Sequence, residues 1–239
     1  ADGHIIQDFT DTSNPNDASS LANVLASLDI IDAANKLRTE AGLPELQVSN
    51  LMMVVSILQT NWSAAQTSLG HVQNEIPKYE NKMPNGMNVA ENLAGGSYTT
   101  EGAVNAWYAE KTIWENFCQK TYGTVPAAAN TYQFYSQHRN DPEMQAIYGR
   151  VGHYINLMSS SCTVTGAAVN TGVDGGLRNG AKGQVYAFQN AITDGTGSSS
   201  KVPWDQTLYS VDDYRALIEK AMREGLPGEG DASDIADDL

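Results

Sequence analysis

Positive charge is scarce in this chain. Fourteen Lys and Arg stand against 28 Asp and Glu in 239 residues, a formal net charge of −14. The ends have no base at all. Residues 1–20 carry Asp2, Asp8, Asp11 and Asp17, and residues 226–239 carry Glu229, Asp231, Asp234, Asp237 and Asp238. An acidic body with acidic tails repels phosphate backbones and anionic bilayers, so nucleic acid is excluded as a partner and membrane surfaces are disfavoured. Such tails read as solvated ends. Cysteine is equally sparse. Cys118 and Cys162 fit no zinc spacing and cannot build a disulfide framework. They either pair, closing a loop worth about 4 kcal/mol, or serve as two separate small hydrophobes. No apolar run approaches a membrane span. No basic, apolar leader is present, but the chain opens at Ala1-Asp2-Gly3 without Met, as a mature or truncated form does. Also missing are the Gly-x-Ser-x-Gly elbow, the His-Glu-x-x-His helix, the phosphate loop and the dinucleotide fingerprint.

What is present supports a packed core. Hydrophobic residues make up 41% of the chain and charged residues 18%. The length allows one domain with extensions, or two small ones. Leu21, Val24, Leu25, Leu28, Ile31 and Leu37 recur at helical steps over 20–41, with Ser19 or Ser20 as cap and Gly42 and Pro44 as the stop. A second helix is expected from a Ser49 cap to about Leu69. Gly70 then leaves His71 at the helix's negative end, where the dipole favours a cation. A loop with Pro77 and Pro84 follows, then an extended segment over Met87–Ala94. A third helix begins at Thr99 or Thr100 and buries Val104, Trp107, Tyr108, Trp114 and Cys118. Glu110, three residues past Trp107, lies close to that buried stripe.

Residues 119–150 are the least regular, with a helix start at Asp141-Pro142-Glu143. Strands are expected over His153–Met158, Thr163–Asn170 and Gln184–Ile192, with a Gly-rich turn over Gly172–Gly183. Residues 193–200 read as a linker. Ser210 and Asp213 cap a last helix that Gly225 and Pro227 terminate. Helices early and strands late fit an antiparallel sheet covered by helices, not a doubly wound parallel sheet.

Chemistry concentrates in four short motifs: Gly70-His71-Val72, Ala90-Glu91-Asn92-Leu93-Ala94, Trp107-Tyr108-Ala109-Glu110-Lys111 and Val151-Gly152-His153-Tyr154. Two imidazoles with two carboxylates can bind a divalent cation or share protons near neutral pH. Each residue also has an ordinary role open to it. His71 can end a helix, Glu91 can lock a turn, Glu110 can be a helix-surface charge, and His153 can be a core histidine. Asn92 reads as a tie between loops. His138 is either an extra ligand or a surface histidine. The aromatic residues of the 119–150 stretch either cover part of a cleft or pack as ordinary core. Asn61-Trp62-Ser63 matches a glycosylation sequon but falls mid-helix.

Taken in order, these motifs resemble the CAP superfamily, the domain shared by cysteine-rich secretory proteins, antigen 5 and plant pathogenesis-related 1 proteins. The resemblance runs over about residues 22–192, from Asn35-Lys36-Leu37-Arg38-Thr39-Glu40-Ala41-Gly42-Leu43-Pro44-Glu45-Leu46 to Gly183-Gln184-Val185-Tyr186-Ala187-Phe188. Ala90 stands where the family has Gly. The long stretch between Glu110 and His153 is more like the bacterial extracellular members. The resemblance implies an α+β fold, a three-layer α-β-α sandwich with a central antiparallel sheet. The domain would occupy 20–192, behind an acidic extension at 1–19 and ahead of a linker, appended helix and acidic tail at 193–239. It implies His71 and His153 as ligands of a divalent cation, zinc or magnesium, with Glu91 and Glu110 beside them and no organic cofactor. It also implies a secreted protein that binds an extracellular protein, a lipid or another small ligand. Two alternatives stand beside that reading. One is a metal-dependent, peptidase-like hydrolase with Glu91 or Glu110 as base. The other is a structural spacer attached through its tails.

Overall fold

The computed structural model describes residues 9–72, 89–188 and 207–224. Helix α1 spans Leu21–Glu40, with the Ser20 hydroxyl accepting from the Asn23 amide. Gly42 ends it at a φ of 80°. A two-residue strand, β1 (Gln47–Val48), follows. Helix α2 (Asn50–Ala65) starts at a Ser49 cap that accepts from the Met52 amide at 3.1 Å. Strand β2 is Val89–Gly95. Thr99 caps α3 (Thr100–Ala109), and α4 (Lys111–Tyr122) continues after Glu110. Then come α5 (Thr131–His138), α6 (Pro142–Tyr148) and α7 (Gly152–Leu157). Strands β3 (Cys162–Asn170) and β4 (Ala181–Phe188) precede α8 (Val211–Glu224).

The sheet order is β1-β3-β4-β2. β3/β4 and β4/β2 are antiparallel, and the short β1 joins β3 in parallel. Side-chain alternation divides the core between the two faces. Val164, Val185 and Ala187 pack with Met52, Val55 and Trp62 of α2. Ala167 and Val169 face the other way, into the larger cluster with Val24, Leu28, Ile31, Trp107 and Tyr154. The result is the expected α+β, three-layer arrangement. Two strand glycines set how closely α2 approaches. A Cβ on Gly166 would lie 2.1 Å from the Met52 carbonyl carbon, and one on Gly183 would lie 2.4 Å from Thr60 Oγ1.

Several local expectations change. Helix α7 (Gly152–Leu157) stands where a strand was expected over His153–Met158. Tyr154, Ile155, Asn156 and Leu157 are all buried, and an apolar run buried on every side has no period to tell helix from strand. The third helix breaks in two at Glu110. The stretch 119–150 is largely helical. The glycine-rich turn is shorter than expected, because residues 181–183 belong to β4, where Gly183 admits the helix above it. Helix α2 stops at Ala65, six residues before His71, so its dipole does not act on that imidazole. Cys118 and Cys162 are both free and buried, and burial pushes their thiols up to about 12 and about 11. They are packing residues, not a disulfide. Asn61 is buried, so the sequon is structural.

Helix α8 packs on α1. Tyr209 exchanges two backbone hydrogen bonds with Val48, both 2.9 Å, and Arg215 reaches Asp29 at 3.1 Å and Asp32 at 2.6 Å. The expectations for Pro77, Pro84, Met87, residues 189–200, Gly225, Pro227, Asp2, Asp8 and the acidic C-terminal tail lie outside the described residues. Asp11 is exposed, but Asp17, expected in a solvated end, is buried and accepts the Asp11 and Ser19 amides and the Asn61 carboxamide.

Candidate functional site

The four motif residues form two histidine–glutamate pairs beside the edge strand β2. His71 Nδ1 lies 2.6 Å from Glu91 Oε2, and His153 Nδ1 lies 2.7 Å from Glu110 Oε1. Against an ionised carboxylate, each Nδ1 carries the proton and donates it. Each Nε2 is then left as a lone-pair donor in the neutral ring. Among the described residues neither Nε2 has a hydrogen-bond partner. The rings are about one-third exposed, at 35% and 33%, while Glu91 is nearly closed off at 3%.

Local structure explains how each side chain is held. The turn after α2 is tied by Ser63 Oγ donating to the Gly70 carbonyl at 2.7 Å, and buried Val72 anchors the other side of His71. Glu91 pairs across the sheet with Val185, so it leaves β2 on the α2 face. Glu110 occupies the joint between α3 and α4, and its second oxygen accepts the Tyr154 amide at 3.1 Å. That bidentate grip orients the first turn of α7. The Trp107 ring lies 6.3 Å from that of His153.

Asn92 points to the opposite face from Glu91 and connects the pairs. Its Nδ2 donates to the His153 carbonyl at 3.0 Å and to Tyr186 Oη at 3.2 Å, and its Oδ1 accepts from Asn156 at 3.0 Å. From there the chain of bonds runs inward. Tyr186 donates to Gln184 at 2.7 Å, Gln184 to Thr165 at 3.2 Å, and Thr165 to the Val185 carbonyl at 2.7 Å. A buried polar network with every member partnered holds one arrangement rather than several. The outer edge of β2 is covered too, since Asn156 donates to the Glu91 carbonyl at 3.4 Å and Trp107 Nε1 to that of Leu93 at 3.1 Å.

The electrostatics of the first pair follow from its burial. The hydrogen bond that His71 donates to Glu91 raises the His71 pKa, with burial opposing. Burial raises the Glu91 carboxyl, with the bond from His71 opposing. Its Oε1 is buried and has no hydrogen-bond partner among the described residues. A carboxyl short of partners in a dry site holds a proton more tightly, and a ring against a carboxylate does the same. Both directions favour a proton kept between the two groups.

Arg38, Asn156 and the Tyr186–Gln184–Thr165 network were not legible as site-supporting residues. Arg38 is fully buried. Its guanidinium donates to the carbonyls of Leu157 (2.9 Å), Ser159 (2.9 Å), Cys162 (3.1 Å) and Pro44 (3.2 Å). The signal available was its place on the inward stripe of α1, at heptad spacing from Ile31. His138 is held elsewhere. Its Nδ1 lies 2.9 Å from Asp141, and its ring packs against Tyr122 and Phe134. The aromatic residues of 119–150 pack on one another and on the main core. Tyr148 lies over Gly152, next to His153.

A family model described as cysteine-rich secretory protein family, CAP, matches residues 31–190. The chain belongs to the CAP family. That span holds all four motif residues of this CAP domain. Among solved structures, the CAP domain of Enterococcal PrgA is similar at 14% identity, over 90% of this chain and 81% of that one, with a TM-score of 0.37. No curated protein matches the chain. Among the described residues of this CAP protein, no helix is long and apolar enough to cross a membrane. Nor does any group of three or more His, Cys, Asp and Glu side chains stand ready to hold a metal ion.

Proposed function

We propose that this CAP domain is an extracellular binding module that engages its ligand beside β2, through the two histidine–glutamate pairs. The observation that carries the reading is the pairing itself: each imidazole has Nδ1 fixed on a carboxylate at 2.6 or 2.7 Å, with the ring partly open to solvent. A carboxylate behind a histidine fixes the tautomer and raises the basicity of the free nitrogen, as at metal sites. The donor chemistry therefore fits a divalent cation, zinc or magnesium, at Nε2 of His71 and His153. Glu91 and Glu110 orient the rings and are not ligands themselves. Such a cation would supply a Lewis-acidic contact for a polar group on the ligand. The ligand class is a lipid or other small molecule, or an extracellular protein.

The peptidase-like alternative asks for a carboxylate free to take a proton from water. Glu110 spends one oxygen on His153 and the other on the Tyr154 amide. Glu91 is closed off from solvent. These engagements favour binding over hydrolysis. Calorimetric titration with zinc at neutral pH tests the reading. Binding should occur, His71→Ala or His153→Ala should abolish it, and Glu110→Gln should weaken it about 10- to 100-fold. Zinc binding that ignores all three substitutions refutes it. Peptide cleavage that requires zinc and Glu91 would favour the hydrolase.

A further inference from the structure

A concavity lies at the far end of β3 and β4, beyond the histidine–glutamate pairs. There the N-terminal segment and the β3–β4 loop line an open hollow of about 490 Å³, with Asn14, Asn16, Asp174, Leu177, Arg178 and Asn179 among its walls. That volume is in the range of ligand pockets rather than of packing defects. The chemistry of the lining is unusual for this acidic chain. It brings one guanidinium, one carboxylate and three carboxamides to a single concavity. Among the described residues, neither Arg178 nor Asp174 has an ion-pair partner, and the two do not bridge each other.

The walls are built, not loose. Asn16 accepts the Thr171 amide on its carbonyl and the Thr171 hydroxyl on its Oδ1, both at 3.0 Å. Behind it, Asn61 accepts from Asn170 at 2.8 Å and from the Ala18 amide at 3.0 Å, and donates to Asp17 at 2.8 Å. The loop is also under strain. Asn179 has a φ of 114°, the only positive value at a non-glycine among the described residues. Its carbonyl lies against Gly96, where a Cβ would come within 2.1 Å. Strained backbone persists where surrounding structure enforces it, and it clusters at ligand sites.

We propose that this hollow binds short peptides carrying both a free ammonium and a free carboxylate. The Arg178 fork takes the carboxylate. Asp174 takes the ammonium, and the carboxamides of Asn14, Asn16 and Asn179 satisfy the peptide group between them. This site is separate from the proposed cation site and does not depend on it.

The test is a titration of dialanine into the isotope-labelled full chain, followed by the backbone and side-chain amide signals of Asn14, Asn16 and Asn179. Saturable shifts are expected with a Kd of about 1 mM. N-acetyl-dialanine lacks the ammonium and dialanine amide lacks the carboxylate, so each should bind about tenfold more weakly. Arg178→Gln and Asp174→Asn change exposed side chains and should cost about the same factor, leaving the ring signals of His71 and His153 unmoved. Two results overturn the proposal. One is no shift up to about 50 mM dialanine. The other is equal shifts for all three peptides in the wild-type chain and both variants.

Discussion

Arg38 is the residue whose loss should reach furthest. Replacing it with Met keeps much of the apolar stem and deletes the guanidinium. Three buried carbonyls, those of Leu157, Ser159 and Cys162, and the partly exposed one of Pro44 then lose a donor at once. A buried acceptor left without its partner costs about 1 kcal/mol or more. Removing the cation also removes its own desolvation cost, and that penalty shows in the lowering of the Arg38 pKa by burial. The two terms together leave a destabilisation of about 3–4 kcal/mol. For a chain of this size that corresponds to a fall in Tm of about 10 °C. Urea unfolding followed by tryptophan fluorescence, with a far-UV circular dichroism melt as second probe, measures both quantities. Arg38→Lys keeps the charge but not the fork, and should fall between wild type and the Met variant. Because Leu157 and Ser159 close the end of α7, the ring signals of His153 should also broaden or move in the Met variant. A loss of less than about 1 kcal/mol, with His153 unmoved, would refute the argument that this buried cation organises the turn behind the site.

Further tests address the sheet, the first pair and α8. In Gly166→Ala the new methyl meets the backbone of Met52 and Met53 at 2.1 and 2.3 Å. Since α2 must move, a loss of about 1–3 kcal/mol or more is expected by urea denaturation. For the His71–Glu91 pair the pH dependence has one sign. The His71 pKa is raised above 6.5, so its contribution is complete below that value and is lost as pH rises through the folded pKa. The Glu91 carboxyl is raised above 4.5, so ionising it in the fold costs stability at higher pH. Both groups make the native state bind more protons than the unfolded chain, so stability should decline as pH rises, above 4.5 through the carboxyl and above 6.5 through the imidazole. Glu91→Gln should flatten that slope and lower the His71 pKa measured by NMR; an unchanged titration would count against the pairing. Asn92→Leu takes a donor from the His153 carbonyl and from Tyr186 Oη and leaves the Asn156 amide only its 3.4 Å bond to the Glu91 carbonyl, which should cost about 2–3 kcal/mol in the same unfolding assay. Arg215→Ala removes a solvent-facing clamp on Asp29 and Asp32. It should cost less than about 1 kcal/mol at low ionic strength, and the difference should vanish in about 1 M salt.

The parts of the fold that local chemistry specifies were legible in the chain. Ser20, Ser49, Thr99 and Ser210 cap their helices because a hydroxyl placed before an apolar periodic run satisfies a free amide wherever the helix is packed. Strand β3 begins one residue before its expected start and ends where expected, and β4 begins three residues early; the order of elements was enough to give an antiparallel sheet covered by helices, which the family resemblance sharpened to an α-β-α sandwich. The motif order likewise identified the family that the model over residues 31–190 supports. Helix α7 was misread as a strand, since burial on all sides erases the periodicity that separates the two. The break at Glu110 escaped notice because its backbone stays in the helical region, at φ −60° and ψ −17°.

Composition, caps and periodicity thus determined an acidic α+β domain, because each of those signals lies within a few residues of its own cause, and the motifs that resemble the CAP family marked the four candidate side chains. Which imidazole meets which carboxylate was decided only in three dimensions. The partners are 20 and 43 residues apart, and they meet through the register of β2 on β4 and the carboxylate grip of Glu110 on α7. Arg38 shows the same division. Its helical face was readable from the sequence, but its four acceptors come from turns up to 124 residues away, and no local pattern encodes a contact of that range.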